Sequence, residues 1–325
     1  MSTQRCSVAC PGVFDDYEFG VCLTHDVDRI HKTYQSVYYA LTERRLHHLE
    51  SLFSRSRPYW QFEEIMALED RLDVRSSFYF LNEKRLVSDK PPSAWLRPAN
   101  WIQYTGHYDV TGPSVVDVIR KLDRGGWEVG LHGSFDSYAE PDRLVREKRR
   151  LEDVLGHSVT GGRQHYLNLN VPETWRNHRD AGLRYDASFG SSSTVGFDAP
   201  VPAADTDGSQ SAAADTGRVG TGVFRPFDDD FLVFPLTVME APLVEEAGSI
   251  DAAWQKLQEL LTEARAEKAI VTVLWHPRLF NETDFPGYRR LYERLIVEAK
   301  SLGAWVGPVE EAYHELVDHR RCGDE

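Results

Sequence analysis

Short runs of β-branched and aromatic residues alternate with amphipathic helical patterns from one end of this chain to the other, and that rhythm limits the fold more than any other feature. Strands are expected near residues 20–25, 76–81, 127–131, 159–163, 183–187, 231–238, 270–275 and 304–306. Between them, Tyr288, Leu291, Tyr292, Leu295, Ile296 and Ala299 keep the spacing of one helical stripe. Trp254, Leu257, Leu260, Leu261 and Ala264 do the same. Such stripes read as core contacts. Repeated strand–helix units require parallel strands with helical crossovers. Their number favours a distorted (β/α) barrel of seven or eight strands over an open doubly wound sheet. No glycine-rich phosphate loop follows the first strand, which argues against a dinucleotide or nucleoside triphosphate site.

A barrel accounts for the full 325 residues as a single catalytic domain. Residues 1–19 then form an N-terminal extension, and residues 200–222, low in complexity and without aromatics, a flexible surface insertion. Acidic residues number 51 against 37 basic, a formal net charge of −14. That sign disfavours nucleic acid and anionic membranes, both of which select basic patches. No stretch approaches the ~20 apolar residues of a membrane span, and the first twenty residues carry no leader pattern. Cys6, Cys10, Cys22 and Cys322 are too scattered for a disulfide framework or a zinc knuckle. The expectation is a soluble, cytoplasmic protein with reduced thiols.

In a β/α barrel, functional side chains collect at the C-terminal ends of the strands. Five strand ends here carry them: Thr24-His25-Asp26-Val27-Asp28-Arg29, His132-Gly133-Ser134-Phe135-Asp136, Arg163-Gln164-His165-Tyr166, Tyr185-Asp186-Ala187-Ser188 and Trp275-His276-Pro277. Two carboxylates one residue apart can divide their roles. Asp28 with His132 and a third oxygen or nitrogen ligand would hold a divalent ion, which acidifies a bound water and polarises a carbonyl. Asp26 would act as general base, His276 would protonate a leaving amine, and Arg163 would pair with Asp26. Plainer roles stand beside these: helix capping or pairing with Arg29 for the two aspartates, a helix cap for Asp136, a hydrogen-bonded pocket residue for His165, a structural role for His25. Glu240, after residues 231–238, lies equally well in the pocket wall or on a surface loop.

These motifs, in order from about Val21 to His276, resemble the metal-dependent polysaccharide deacetylases of the NodB-homology type (carbohydrate esterase family 4). The resemblance implies a distorted β/α barrel that removes N- or O-linked acetyl groups from sugars with a divalent metal ion, zinc above all. By resemblance Asp26 is the catalytic base and Asp28 a metal ligand, here separated by Val27 where many members have adjacent aspartates. His132 opens the second motif, and Asp136 replaces the histidine that usually follows four residues later. The third motif keeps Arg163 and an aromatic, Tyr166, whose backbone N–H would stabilise the oxyanion. His165 stands where the family has proline and would supply the missing imidazole, with Asp136 as the alternative ligand. Asp186 and Ser188 match the fourth motif, and Leu274-Trp275-His276 the fifth. The expected partner is a carbohydrate, and Trp95, Trp101, Tyr104 and Tyr108 would stack on sugar rings or pack their loop. Two competing readings are a non-catalytic carbohydrate-binding protein on the same barrel and a related amidohydrolase or glycosidase.

Overall fold

The computed structural model of the chain describes residues 6–7, 16–32, 57–83, 91–96, 107–202, 215–218 and 222–323. Its main strands are β1 (Phe19–Val27), β2 (Ser77–Leu81), β3 (Glu128–Gly133), β4 (Gly161–Gln164), β5 (Tyr185–Asp186), β6 (Leu232–Val233), β7 (Leu236–Met239), β8 (Ile270–Leu274) and β9 (Ala304–Gly307). Eight of them lie in the order β6-β5-β4-β3-β2-β1-β8-β7, every adjacent pair parallel. This is the distorted (β/α) barrel that the strand–helix rhythm implies. One source of distortion is β1. Residues 20–24 of β1 pair with β8 on one edge, while the other edge is split between β9 along residues 19–22 and β2 along residues 24–27.

Among the described residues an isolated bridge joins the segment after β5 to β7 at the ends of the curled sheet. Gly190, beyond β5, makes a parallel bridge with Leu236 of β7. A Cβ on Gly190 would stand 2.6 Å from the Cβ of Leu236, so only glycine permits this approach. The strand expected at 231–238 is two strands, because Pro235 has no N–H to give the ladder. Phe234 N and Leu236 N, on either side of it, donate to Asp186 O and Phe189 O, both at 2.8 Å.

The helices α1 (Phe62–Leu72), α2 (Pro113–Arg124), α3 (Pro141–Leu155), α4 (Glu173–Asp180), α5 (Glu240–Ala247), α6 (Ile250–Glu267), α7 (Tyr288–Ser301) and α8 (Val309–Gly323) complete the described framework. The two stripes bury Leu257, Leu260, Leu261 and Ala264 on α6 and Leu291, Tyr292, Leu295, Ile296 and Ala299 on α7, while Trp254 and Tyr288, the first residue of each, are partly buried against the core. Ser249 starts α6 by accepting a hydrogen bond from Ala252 N at 3.1 Å.

Strand periodicity sorts β1 into two faces. Val21 and Leu23 join the large core shared with the helices, whereas Cys22 joins the inner cluster of Tyr79, Tyr185 and Phe234. Continuing that inner face, Thr24 and Asp26 both accept hydrogen bonds from Arg163 at 2.8 Å. His25 turns the other way. Its Nδ1 donates to Trp275 O at 2.6 Å and its Nε2 lies 3.0 Å from the fully buried Glu69, so its role is structural.

The remaining segments qualify the sequence reading. Within 200–222, Pro200–Pro202 pairs antiparallel with Asp215–Arg218, so part of the expected flexible insertion is a small hairpin-like pair; 203–214 and 219–221 lie outside the described residues. In the 1–19 extension, Cys6–Ser7 pairs with Phe224–Arg225, which pairs in turn with β6. Cys10, Trp101 and Tyr104 lie outside the described residues, while Trp95 ends a short exposed helix. Tyr108 is a packing residue: its buried hydroxyl donates to Val27 O at 2.6 Å and accepts from Leu81 N at 2.8 Å, tying the ends of β1 and β2. Among the described residues no helix is long and apolar enough to cross a membrane.

Candidate metal centre and active site

The ends of β1, β3, β4 and β8 surround a cavity of about 270 Å³ whose wall includes Asp26, Asp28, His132, His165 and His276. The period of two explains the Asp-x-Asp spelling. Asp26 lies on the inner side of β1, and Asp28, the first residue past the strand and two positions on, lines the same cavity. The register of β3 against β4 sets His132 beside Arg163, which leaves His165 two residues further along the same face.

Asp28 is the hub. Its Oδ1 lies 3.1 Å from His132 Nε2 and 3.7 Å from His165 Nε2, and its Oδ2 lies 3.3 Å from His276 Nε2 and 3.2 Å from Arg278 Nη1. Donor atoms of Asp28, His132 and His165 all fall within 4.8 Å of one another. Two imidazole nitrogens and one carboxylate oxygen form a donor set suited to a zinc-like ion with positions left for water and substrate. The residues present therefore fit a divalent metal. Burial opposes ionisation of Asp28, but His276, His132 and His165 outweigh it and hold its carboxyl well below the usual range. Burial likewise opposes the charged form of His132, yet Asp26 and Asp28 push it up.

Asp26 stands beside this group with its two oxygens divided. Oδ1 accepts from Arg163 Nη1 at 2.8 Å, and Oδ2 lies 3.8 Å from His132 Nε2. Arg163 is buried and held through Nε, which donates to Ala187 O at 2.7 Å, through Nη1, and by lying over the Tyr79 ring, while its Nη2 makes no hydrogen bond among the described residues. His132 donates from Nδ1 to Arg163 O at 2.9 Å, since a carbonyl can only accept, and this turns Nε2 toward Asp28. His276 is backed differently: its Nδ1 lies 2.5 Å from Oε1 of the fully buried Glu240. Burial works against the imidazolium, but Glu240 and then Asp28 more than offset it, pushing His276 up to about 10. Glu240 is thus a buried partner of His276 rather than a surface residue.

Two residues named from the fourth and second motifs are not brought into this group. Asp186 is fully buried and fixes its own loop. It accepts from Ser188 N and Oγ at 3.0 and 2.6 Å and from Trp175 Nε1 at 3.2 Å, with His178 Nδ1 3.2 Å away. It reaches Arg163 only through the neighbouring Ala187 carbonyl. Asp136 turns outward, where Arg143 Nη1 donates to it at 2.7 Å. Arg143, on the first turn of α3, also pairs with Glu140 and holds Asp136 as an anchor for that helix start.

Tyr166 lines the cavity with Leu167. Both adopt left-handed backbone, φ 58° and 57°, and the Tyr166 side chain is 53% exposed, edge-on to Phe135. Consecutive left-handed non-glycine residues are costly and recur where a site demands a particular turn. Arg278 and Glu83 were not anticipated. Arg278 lies two residues past His276 in Trp-His-Pro-Arg. Glu83 lies two residues past β2, on a strand end with no histidine or aspartate to mark it.

No family model matches the chain, and no curated protein sequence matches it. Its architecture is the NodB-like (β/α) barrel of the polysaccharide deacetylases. The fold is similar to that of a Mycobacterium smegmatis protein assigned as a polysaccharide deacetylase, at 16% identity, TM-score 0.52, covering 94% of this chain and 93% of that one. It is equally similar to a Pseudomonas aeruginosa PAO1 protein assigned as a polysaccharide deacetylase, at 17% identity and TM-score 0.53, covering 95% and 93%. Puue allantoinase has the same fold, at 15% identity and TM-score 0.54, covering 95% and 92%.

Proposed function

We propose that the chain is a metal-dependent hydrolase that removes an acetyl group, N-linked or O-linked, from an amino sugar or glycan precursor. The observation that carries the reading is the convergence of Asp28, His132 and His165 within 4.8 Å, flanked by Asp26 and His276, at the C-terminal ends of the strands. A divalent ion, when bound there, acidifies water and polarises the acyl carbonyl. Asp26 accepts the proton of the attacking water through Oδ2, since Oδ1 is occupied by Arg163. His276, held by Glu240 on its far nitrogen, presents Nε2 to the cavity and donates a proton to the leaving amine or alkoxide. The backbone N–H of Tyr166 serves the developing oxyanion. Asp186 contributes by fixing the loop that carries Ala187 O against Arg163.

The decisive experiment measures metal content and acetate release from acetylated amino sugars. The wild-type chain is expected to bind about one zinc-like ion and to release acetate, and Asp26→Asn and His276→Ala are expected to keep the metal and lose turnover. Undiminished turnover in either variant overturns the role given to that residue. A protein that binds metal and sugar but releases no acetate is the carbohydrate-binding alternative. The allantoinase of similar fold makes non-sugar amides the second substrate class to screen.

A further inference from the structure

Three imidazoles border the cavity, and each turns Nε2 toward Asp28, at 3.1 Å for His132, 3.3 Å for His276 and 3.7 Å for His165. Each must then place Nδ1 elsewhere. For His132 that place is the Arg163 carbonyl, and for His276 it is Glu240. His165 Nδ1 is buried without a hydrogen bond, and the carboxylate that faces it is Glu83, whose Oε2 lies 3.9 Å away. The Glu83 side chain is fully buried, and the same oxygen accepts from Phe135 N at 2.7 Å.

We propose that Glu83 is the positioning residue that orients His165 as the third metal ligand, and that the same carboxylate holds the loop after β3 in the course that sends Asp136 away from the metal. This rests on the metal-binding reading above and goes beyond it. A ligating imidazole must offer the lone pair of Nε2, so its proton belongs on Nδ1, where a buried N–H needs an acceptor. Carboxylates behind ligating histidines commonly meet that need, fixing tautomer and ring orientation. The 3.9 Å gap is one that a small ring rotation or a bridging water closes. Glu83 also explains the exchange of ligands between strand ends. By gripping Phe135 N next to Asp136, it anchors the loop while Arg143 takes the Asp136 carboxylate. The second-motif position is thereby removed from the ligand set, and the imidazole arrives from the end of β4 instead.

The test uses the full chain, with zinc affinity measured by chelator competition and cobalt(II) substitution read by visible absorption. Glu83→Gln, which preserves shape, is expected to weaken zinc binding by about 10- to 100-fold and to alter the cobalt spectrum. Glu83→Ala is expected to weaken it at least as much, with circular dichroism and thermal melting reporting whether it folds. His165→Ala should lose tight binding, and Asp136→Asn should stay within about threefold of wild type. Wild-type affinity in Glu83→Gln overturns the inference while leaving the metal reading intact, and so does an Asp136→Asn loss as large as that of His165→Ala. A wild-type chain that binds no divalent metal overturns the metal reading itself and this inference with it.

Discussion

The inner face of β3 carries a buried ionisable group at each end: Glu128 at its start and His132 four residues later, about 13 Å away along a strand rising ~3.3 Å per residue. The two ends are built to opposite rules. Around Glu128 acceptors are matched by donors: Ser77 Oγ at 2.5 Å, the Tyr185 hydroxyl, and Glu310 N at 2.9 Å in the first turn of α8. Val309 N, the neighbouring helix donor, goes to Ser77 Oγ at 2.9 Å. A carboxylate at a helix N-terminus suits the dipole there, so this end docks α8 against the barrel. Around His132, imidazole nitrogens and carboxylate oxygens instead converge on one another at 3.1–3.8 Å beside an open cavity. Saturated polar clusters hold elements together. The crowded, convergent ligand atoms at the other end are the geometry on which the proposed metal site rests.

The comparison breaks most readily at the open end. Asp26→Asn should lower kcat by about 10²–10⁴ while metal stoichiometry and melting temperature stay near wild type. A comparable fall in melting temperature would mean that the open end is structural as well. At the closed end the expectation reverses. Glu128→Ala strands the Tyr185 hydroxyl, Ser77 and the first turn of α8, costing about 3 kcal/mol in denaturant unfolding, with kcat per folded molecule unchanged.

The pH dependence of stability sharpens the same contrast. Burial, with Glu310 adding to it, pushes the Glu128 carboxyl up from its ordinary value of 4.5 to about 7. The folded state therefore holds this proton more tightly than the unfolded one. The resulting stability is fully present below about pH 4.5 and is lost as pH rises through 7. Glu128→Gln, which imitates the protonated form, should flatten that slope. Its gain over wild type at pH 8 should be on the order of 2 kcal/mol, read from denaturant melts at several pH values. The smallest effect is expected at Tyr166. Glycine tolerates its left-handed backbone, so Tyr166→Gly should gain about 1 kcal/mol in stability. Its turnover should stay within about threefold if only the backbone acts, and a larger loss would assign the exposed ring to substrate.

Much of this was legible in the residue order. Alternation of strand and helix patterns marked the barrel, and the stripes on α6 and α7 buried most of the side chains their spacing implied. The strand ends collected Asp26, Asp28, His132, Arg163, His165 and His276 because inward-facing charges at the end of apolar strands have few structural uses. What local spacing could not place depended on partners far away in sequence. Glu240 follows β7 and could not be placed until β7 paired with β8, which brings it behind His276. Glu83 lies two residues past β2, but its meaning comes from Phe135 and His165 on other strands. Asp186 matched a motif and sits at a strand end, yet its nearest donors draw it into its own loop.

Local physics was enough to decide which side chains of β1 face inward, since a period of two is intrinsic to any strand and puts Cys22, Thr24 and Asp26 on one side. Tertiary structure alone separates Asp136 from His165, for only His165 is brought to the cluster of Asp28 and His132. Both lie just beyond a strand end, and nothing in their spacing separates them. The register that sets His132 beside Arg163 carries His165 to Asp28, while the approach of α3 brings Arg143 to Asp136. Ligand geometry of that kind is a property of non-local pairing, which no short stretch of sequence contains.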